Sequence, residues 1–107
     1  MFISGSVILA DQPRSLAWYL AEAAGLWTRY DERGRPTLVS NNSAFRCMRL
    51  FINQWPFNRT GYGSLDHIHL GDIAAVEIYD THRDVPAQLA FEAGRCGVVN
   101  VWTWGGW

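Results

Sequence analysis

The run Val98-Val99-Asn100-Val101 constrains this chain more than any other segment. Three β-branched residues around one asparagine are too apolar for an exposed sheet edge. The strand predicted over Val98 to Trp104 therefore belongs near the centre of a sheet. A second strand is predicted over Ala75 to Tyr79. Between the two, Val85 to Phe91 reads as a short helix, with Pro86 tolerated in its first turn and Gly94 ending it.

The first half supplies the rest of a small domain. Ser4 is a candidate cap for a very short helix that ends near Asp11, ahead of Pro13. Ser15 is the candidate N-cap of a second helix, and Gly25 its C-terminal stop. Leu16, Tyr19, Leu20 and Ala23 recur at helical spacing and predict its apolar stripe. Leu26 to Tyr30 and Thr37 to Ser40 are β-prone runs on either side of a charged turn at Gly34. Arg46 to Ile52 predicts a buried strand, Asn53-Gln54 its turn, and Trp55-Pro56-Phe57 the return. Asn58 to Leu65 is loop by composition. With no repeat, linker or low-complexity tract, the chain reads as one α+β domain over residues 1–107. It is predicted to hold a small mixed β-sheet and two or three short helices.

Composition limits the partners. A net charge of −1 gives no electrostatic case for nucleic acid or for an anionic membrane surface. No run of about 18 apolar residues exists, so no helical membrane span is predicted. The start, MFISGSVILAD, has a short apolar run and no basic residue before it, a poor match to a secretory signal. Export, on this reading, uses a signal outside this sequence or another route. Six tryptophans are a large excess for 107 residues. Either they fill a small core with large side chains, or they form an aromatic face that docks on a partner. Cys47 and Cys96 follow no metal-finger or C-x-x-C spacing, which leaves two buried thiols or one disulfide.

With the elements in this order, the chain resembles the plug domain of TonB-dependent outer-membrane receptors. Asp72-Ile73 with Val76-Glu77-Ile78-Tyr79 looks like the family's Asp-Ile-x-x-Ile-Glu-Val strand, and Gly97-Val98-Val99-Asn100-Val101-Trp102-Thr103 its closing Gly-x-Val-Asn-Ile-x-Thr strand. Met48 to Pro56 resembles the strand and hairpin that read Val-x-Val-Asp-Gly-Val-Pro in the family, with Asn53-Gln54 standing where Asp-Gly is usual. Ala24-Gly25-Leu26 holds the place of a Pro-Gly-Val turn. Asp80 to Pro86 replaces the usual Arg-Gly-Pro segment. Cys47 and Cys96-Gly97-Val98-Val99 are similar to a plug-like subset that carries a cysteine before each of these strands. The resemblance thus implies a plug-like fold and makes Cys47–Cys96 the disulfide candidate. Such a bond would close a loop worth about 3–4 kcal/mol on the chain-entropy model. No TonB-box peptide or barrel is recognised in the sequence, and a lone plug encloses no pore, so transport by these residues alone is not expected.

One constellation has a catalytic look. Asp66-His67-Ile68-His69-Leu70-Gly71-Asp72 holds a His-x-His which, on a strand, would aim both rings to one side. A zinc site needs three or four supported ligands, and His67, His69 and Asp72 reach that number only together. In the plug reading the segment is a connection, and Asp72 a turn or cap residue. Cys47 has basic neighbours in Arg46 and Arg49 but no Cys-His signature, and no hydrolase, nucleotide or metalloprotease motif is present.

The expected function is that of a non-catalytic binding module without a cofactor. It is read as an accessory or interaction subunit of a membrane or envelope complex, on the periplasmic side of a bacterial envelope. The partner-binding candidates are Trp55, Phe57, Arg59, Tyr62, Trp104 and Trp107, aromatic and arginine residues in predicted hairpin, loop and tail positions. The competing reading is a small-ligand or metal-binding domain centred on the His-x-His segment.

Overall fold

The computed structural model describes residues 1–30, 34, 36–40, 46–56, 65 and 68–105. Its main sheet has five strands: β1 (Phe2–Ser4), β4 (Met48–Ile52), β5 (Trp55–Pro56), β6 (Ile73–Tyr79) and β7 (Gly97–Thr103). They lie in the order β1-β6-β7-β4-β5, so the apolar closing strand is central, as its composition requires. β7 runs antiparallel to β6 and parallel to β4, which makes the sheet mixed. β2 (Trp27–Tyr30) and β3 (Pro36–Val39) form a separate antiparallel pair. With helices α1 (Gly5–Asp11), α2 (Leu16–Ala24) and α3 (Ala87–Ala93), the domain is α+β.

Local chemistry places the helices where the sequence puts them. The Ser4 hydroxyl accepts from the Val7 N–H and caps α1, while the Ser15 hydroxyl accepts from the Trp18 N–H and caps α2. Gly25 takes the left-handed conformation that ends α2. Gly5 is required by close approach: a Cβ there would lie 1.8 Å from the Ile73 carbonyl oxygen, so α1 packs its first turn directly on the β6 backbone.

The two faces of the sheet are covered unequally. One packs Leu50, Val76, Ile78, Val99 and Val101 against Ile8 of α1, Leu16 and Leu20 of α2, and Leu38 of β3. The opposite face carries a smaller cluster in which Phe51 and Val98 meet Leu89 and Ala93 of α3. At full burial each such side chain contributes about 1.5–3 kcal/mol, so the first layer dominates the core.

Several boundaries differ from expectation. The buried face of α2 is Leu16, Ala17, Leu20 and Ala21, one position round from the predicted stripe, and Ala23 is exposed. β6 starts two residues before Ala75, with a bulge between Ile73 and Ala75. α3 starts at Ala87 because Pro86 keeps an extended ψ of 148° and serves as the N-cap.

The turn between β4 and β5 is the predicted one, and both of its residues pay in backbone conformation. Asn53 (φ 52°) and Gln54 (φ 69°) are both left-handed, the geometry that a two-residue hairpin asks of its loop. Asn53 tolerates this well, whereas Gln54 does not. Hydrogen bonds to β7 hold the turn in place. The Asn53 N–H donates to the Val101 carbonyl (2.8 Å), and the Gln54 N–H to Asn100 Oδ1 (3.0 Å).

At the other end of the same strands, Cys47 and Cys96 form a disulfide, with Cα atoms 4.8 Å apart. The parallel register pairs Met48 with Gly97, which sets the two preceding cysteines side by side. Gly97 has no room for a side chain: a Cβ would lie 2.6 Å from the Tyr79 carbonyl oxygen and 2.5 Å from Met48 Sδ.

Candidate functional site

An open groove of about 820 Å³ lies between α2 and β2. Burial of Leu16, Ala17, Leu20 and Ala21 turns Trp18 and Glu22 outward. After Gly25 reverses the chain, buried Leu26 anchors the return and Trp27 emerges on β2 facing the helix. Pro13, Arg14 and Tyr19 complete the groove near the start of α2. Trp18 is 50 % exposed, and Trp27 and Tyr30 are each 56 % exposed. Rings this open to water are poorly explained as core filling.

The rings are held in place. Trp18 and Tyr30 lie 6.3 Å apart between centroids at an interplanar angle of 54°, within the range of favourable tilted pairs. The Arg46 guanidinium carbon sits 6.0 Å from the centre of the Trp27 ring, at the outer limit of a cation–π contact. The Tyr19 hydroxyl donates to Asp11 Oδ2 at 2.9 Å, linking the end of α1 to α2. That hydrogen bond raises the Tyr19 pKa, with smaller contributions from burial and from the Asp11 charge. The aromatic groove carries a positive group at Arg14 and a negative one at Glu22. No nucleophile–base pair lines it.

A second cluster lies on the face of the sheet that carries α3. Glu77 accepts from the Tyr79 hydroxyl (2.5 Å) and from the Trp102 indole N–H. Tyr79 is pushed up to about 12, first by that hydrogen bond, then by burial and the Glu77 charge. Asn100 is directly opposite Glu77 on β7 and fully buried. Its Oδ1 holds the β4–β5 turn, while its Nδ2 has no hydrogen-bond partner among the described residues. This cluster orders the centre of the sheet, and its carboxylate is already occupied by two neutral donors.

The residues singled out from sequence divide in three. Trp55 and Trp104 are both well exposed and lie at the same end of the sheet, where Ile52 pairs with Val101 and Thr103 with Ile73. His69 and Asp72 are exposed at that end too, but on a 3-10 turn at Leu70–Asp72 rather than on a strand. Asp72 acts as a turn residue whose carbonyl accepts from the Trp104 N–H at 3.0 Å. Phe57, Arg59, Tyr62, His67 and Trp107 lie outside the described residues. Among the described residues no group of three or more His, Cys, Asp or Glu side chains is placed to hold a metal ion. No helix among them is long and apolar enough to cross a membrane.

Trp18, Trp27 and Tyr30 were missing from the sequence-based candidates. One signal could have found them. Trp18 stands off the predicted apolar stripe of α2, and a tryptophan on the polar side of an amphipathic helix has no core to fill.

No protein-family model, curated protein or solved structure matches this chain.

Proposed function

We propose that this domain is a non-catalytic, plug-like binding module that serves as an accessory or interaction subunit of a bacterial envelope or membrane complex. The observation that carries the reading is the groove between α2 and β2, lined by Trp18 and Trp27 and flanked by Tyr30, whose ring pairs with Trp18, all three being half exposed. Aromatic anchors beside arginine and a polar rim are the usual composition of a protein-binding hot spot. The element order and the β6 and β7 motifs support the plug-like part of the proposal. The Cys47–Cys96 bond supports the periplasmic side, since disulfides persist in oxidising compartments. Trp55 and Trp104 offer a second aromatic surface at the far end of the sheet.

The test is capture of partners from detergent-solubilised envelopes by the tagged domain, read by mass spectrometry. The Trp18→Ala/Trp27→Ala double variant probes the groove, and Phe91→Ala controls for loss of an exposed aromatic elsewhere. The reading expects one partner set at fixed ratio, lost with the groove variant and kept with Phe91→Ala. Equal capture by all three proteins, or no enrichment over an unrelated bait, would overturn it.

A further inference from the structure

We propose that the Cys47–Cys96 bond is a redox-sensitive brace for the aromatic groove, so that reducing it loosens the β2–β3 pair while the central sheet stays folded. The inference rests on the groove being the docking site, and begins with how the two sheets are joined. Among the described residues, the backbone links between them are the bridge from Val39 to Cys47 and the hydrogen bond from the Ser40 N–H to the Arg46 carbonyl (3.2 Å). Both fall within one residue of the disulfide. The next residue upstream, Arg46, lies 6.0 Å from the centre of the Trp27 ring, which lines the groove. Cys47 is therefore at the junction of the small sheet and the main sheet, one residue from a contact to the groove.

The opposite end of β4 has its own fastening. Asn53 and Gln54 are tied to β7 by the hydrogen bonds described above, and the β4–β7 register continues between the two ends. Losing the disulfide removes one of two clamps on β4, and the one lost is the clamp beside the groove. The small sheet keeps two other holds, Leu38 in the main core and the Ser40 hydroxyl donating to the Asp80 carbonyl, so the opening expected on reduction is partial and local.

The bond is placed to react. Both cysteines are only half-buried, and each follows an exposed arginine, Arg46 or Arg95. The two arginines add positive charge to this end of the strands, and positive charge favours the thiolate form of a leaving sulfur. The reductant is a dithiol. One of its thiolates attacks one sulfur of the bond, the other leaves as a thiolate, and a mixed disulfide forms. The second thiol of the reductant then attacks that mixed disulfide. The reductant departs as its own disulfide, and Cys47 and Cys96 are left as two thiols carrying two electrons and two protons more than before.

The experiment compares the oxidised protein, the protein reduced with dithiothreitol, and a Cys47→Ser/Cys96→Ser variant. Hydrogen exchange is read at Thr28 and Leu38 of the small sheet and at Val76, Val99 and Val101 of the main one. The indole resonances of Trp18 and Trp27 report on the groove. The brace predicts that exchange at Thr28 and Leu38 quickens by about tenfold or more beyond the change at Val76, Val99 and Val101, with shifted Trp27 signals. Equal loss at both sets of amides would make the bond a general staple and sink the idea, as would no change at either. If the variant fails to fold, reduction of the wild-type protein provides the same comparison. Envelope capture in both redox states separates the two proposals. Partner loss on reduction joins the brace to docking, and equal capture in both states refutes that join. A brace that opens in a protein capturing nothing in either state refutes the docking reading alone.

Discussion

Asn53 and Thr103 exchange two hydrogen bonds across the end of the sheet, with Asn53 Nδ2 donating to Thr103 Oγ1 at 2.8 Å and the Thr103 N–H to Asn53 Oδ1 at 2.9 Å. The side chain of a turn residue thereby does for the last residue of β7 what a neighbouring strand would otherwise do. It supplies both an acceptor and a donor at a place where β4 has already turned away.

Asn53→Ala removes both bonds and places alanine at a left-handed φ. A destabilisation of about 2–3 kcal/mol is expected from the unpaired Thr103 N–H and the backbone strain together. Gln54→Gly has the opposite sign. It keeps the N–H that donates to Asn100 and relieves the strained φ of 69°, for a gain of about 0.5–1 kcal/mol after the entropy of the added glycine is counted. Urea unfolding of the two variants checks both signs.

Gly5→Ala is expected to be among the most damaging single-methyl changes in the chain. The added carbon would overlap the Ile73 carbonyl oxygen, a backbone atom that cannot rotate aside. The α1 helix must lift from β6, at a cost of about 3 kcal/mol or more. Gly25→Ala, where the space is open but φ is +68°, should cost only about 1 kcal/mol. Thermal unfolding of both proteins separates steric overlap from backbone conformation.

Tyr79 makes stability depend on pH at the alkaline end. Its folded pKa is pushed up to about 12 from an ordinary 10.0, first because the neutral hydroxyl donates to Glu77. The folded state therefore keeps a proton that the unfolded state has released. The contribution is fully present below pH 10 and is lost as pH rises towards 12. Tyr79→Phe should flatten that part of the stability profile, and the last tyrosinate absorbance to appear in a spectrophotometric titration should vanish with it. A profile in the variant as steep as the parent's would refute the assignment.

Replacing both cysteines with serine should lower stability by about 3–4 kcal/mol at pH 7, the chain-entropy value for closing a loop with a sequence separation of 49. Thiol counts under denaturing conditions, with and without reductant, check the bond itself. Equal counts would contradict it.

What the sequence revealed was mostly short-range chemistry. Ser15 and Gly25 bracket α2 because capping depends on residues within one turn of the helix end. The Asn53-Gln54 turn and the central place of β7 were legible for a similar reason, one from turn chemistry and the other from an apolar run that tolerates no edge. The rotation of α2 was not legible. Ala17 and Ala21 are as compatible with a helix surface as with a core, and only the approach of β2 and β3 decides which side they take. The groove was hidden by the same fact, because Trp18 and Trp27 come to line one groove only once the chain reverses at Gly25 and Leu26 is buried. The emphasis on His69 arose from assuming a strand where the chain makes a 3-10 turn.

The central strand of the five-stranded sheet is also the last of the five in chain order. β6 and β4 touch each other through β7, so a nascent chain that ends before Gly97 has two half-sheets with no common neighbour. Neither Cys47 nor the Asn53 turn has its partner until that point. Folding of the sheet must then wait until Gly97 to Thr103 has been made, and it proceeds through contacts that are distant in sequence and correspondingly slow to form. A chain with this arrangement stays threadable through a narrow channel until β7 is available.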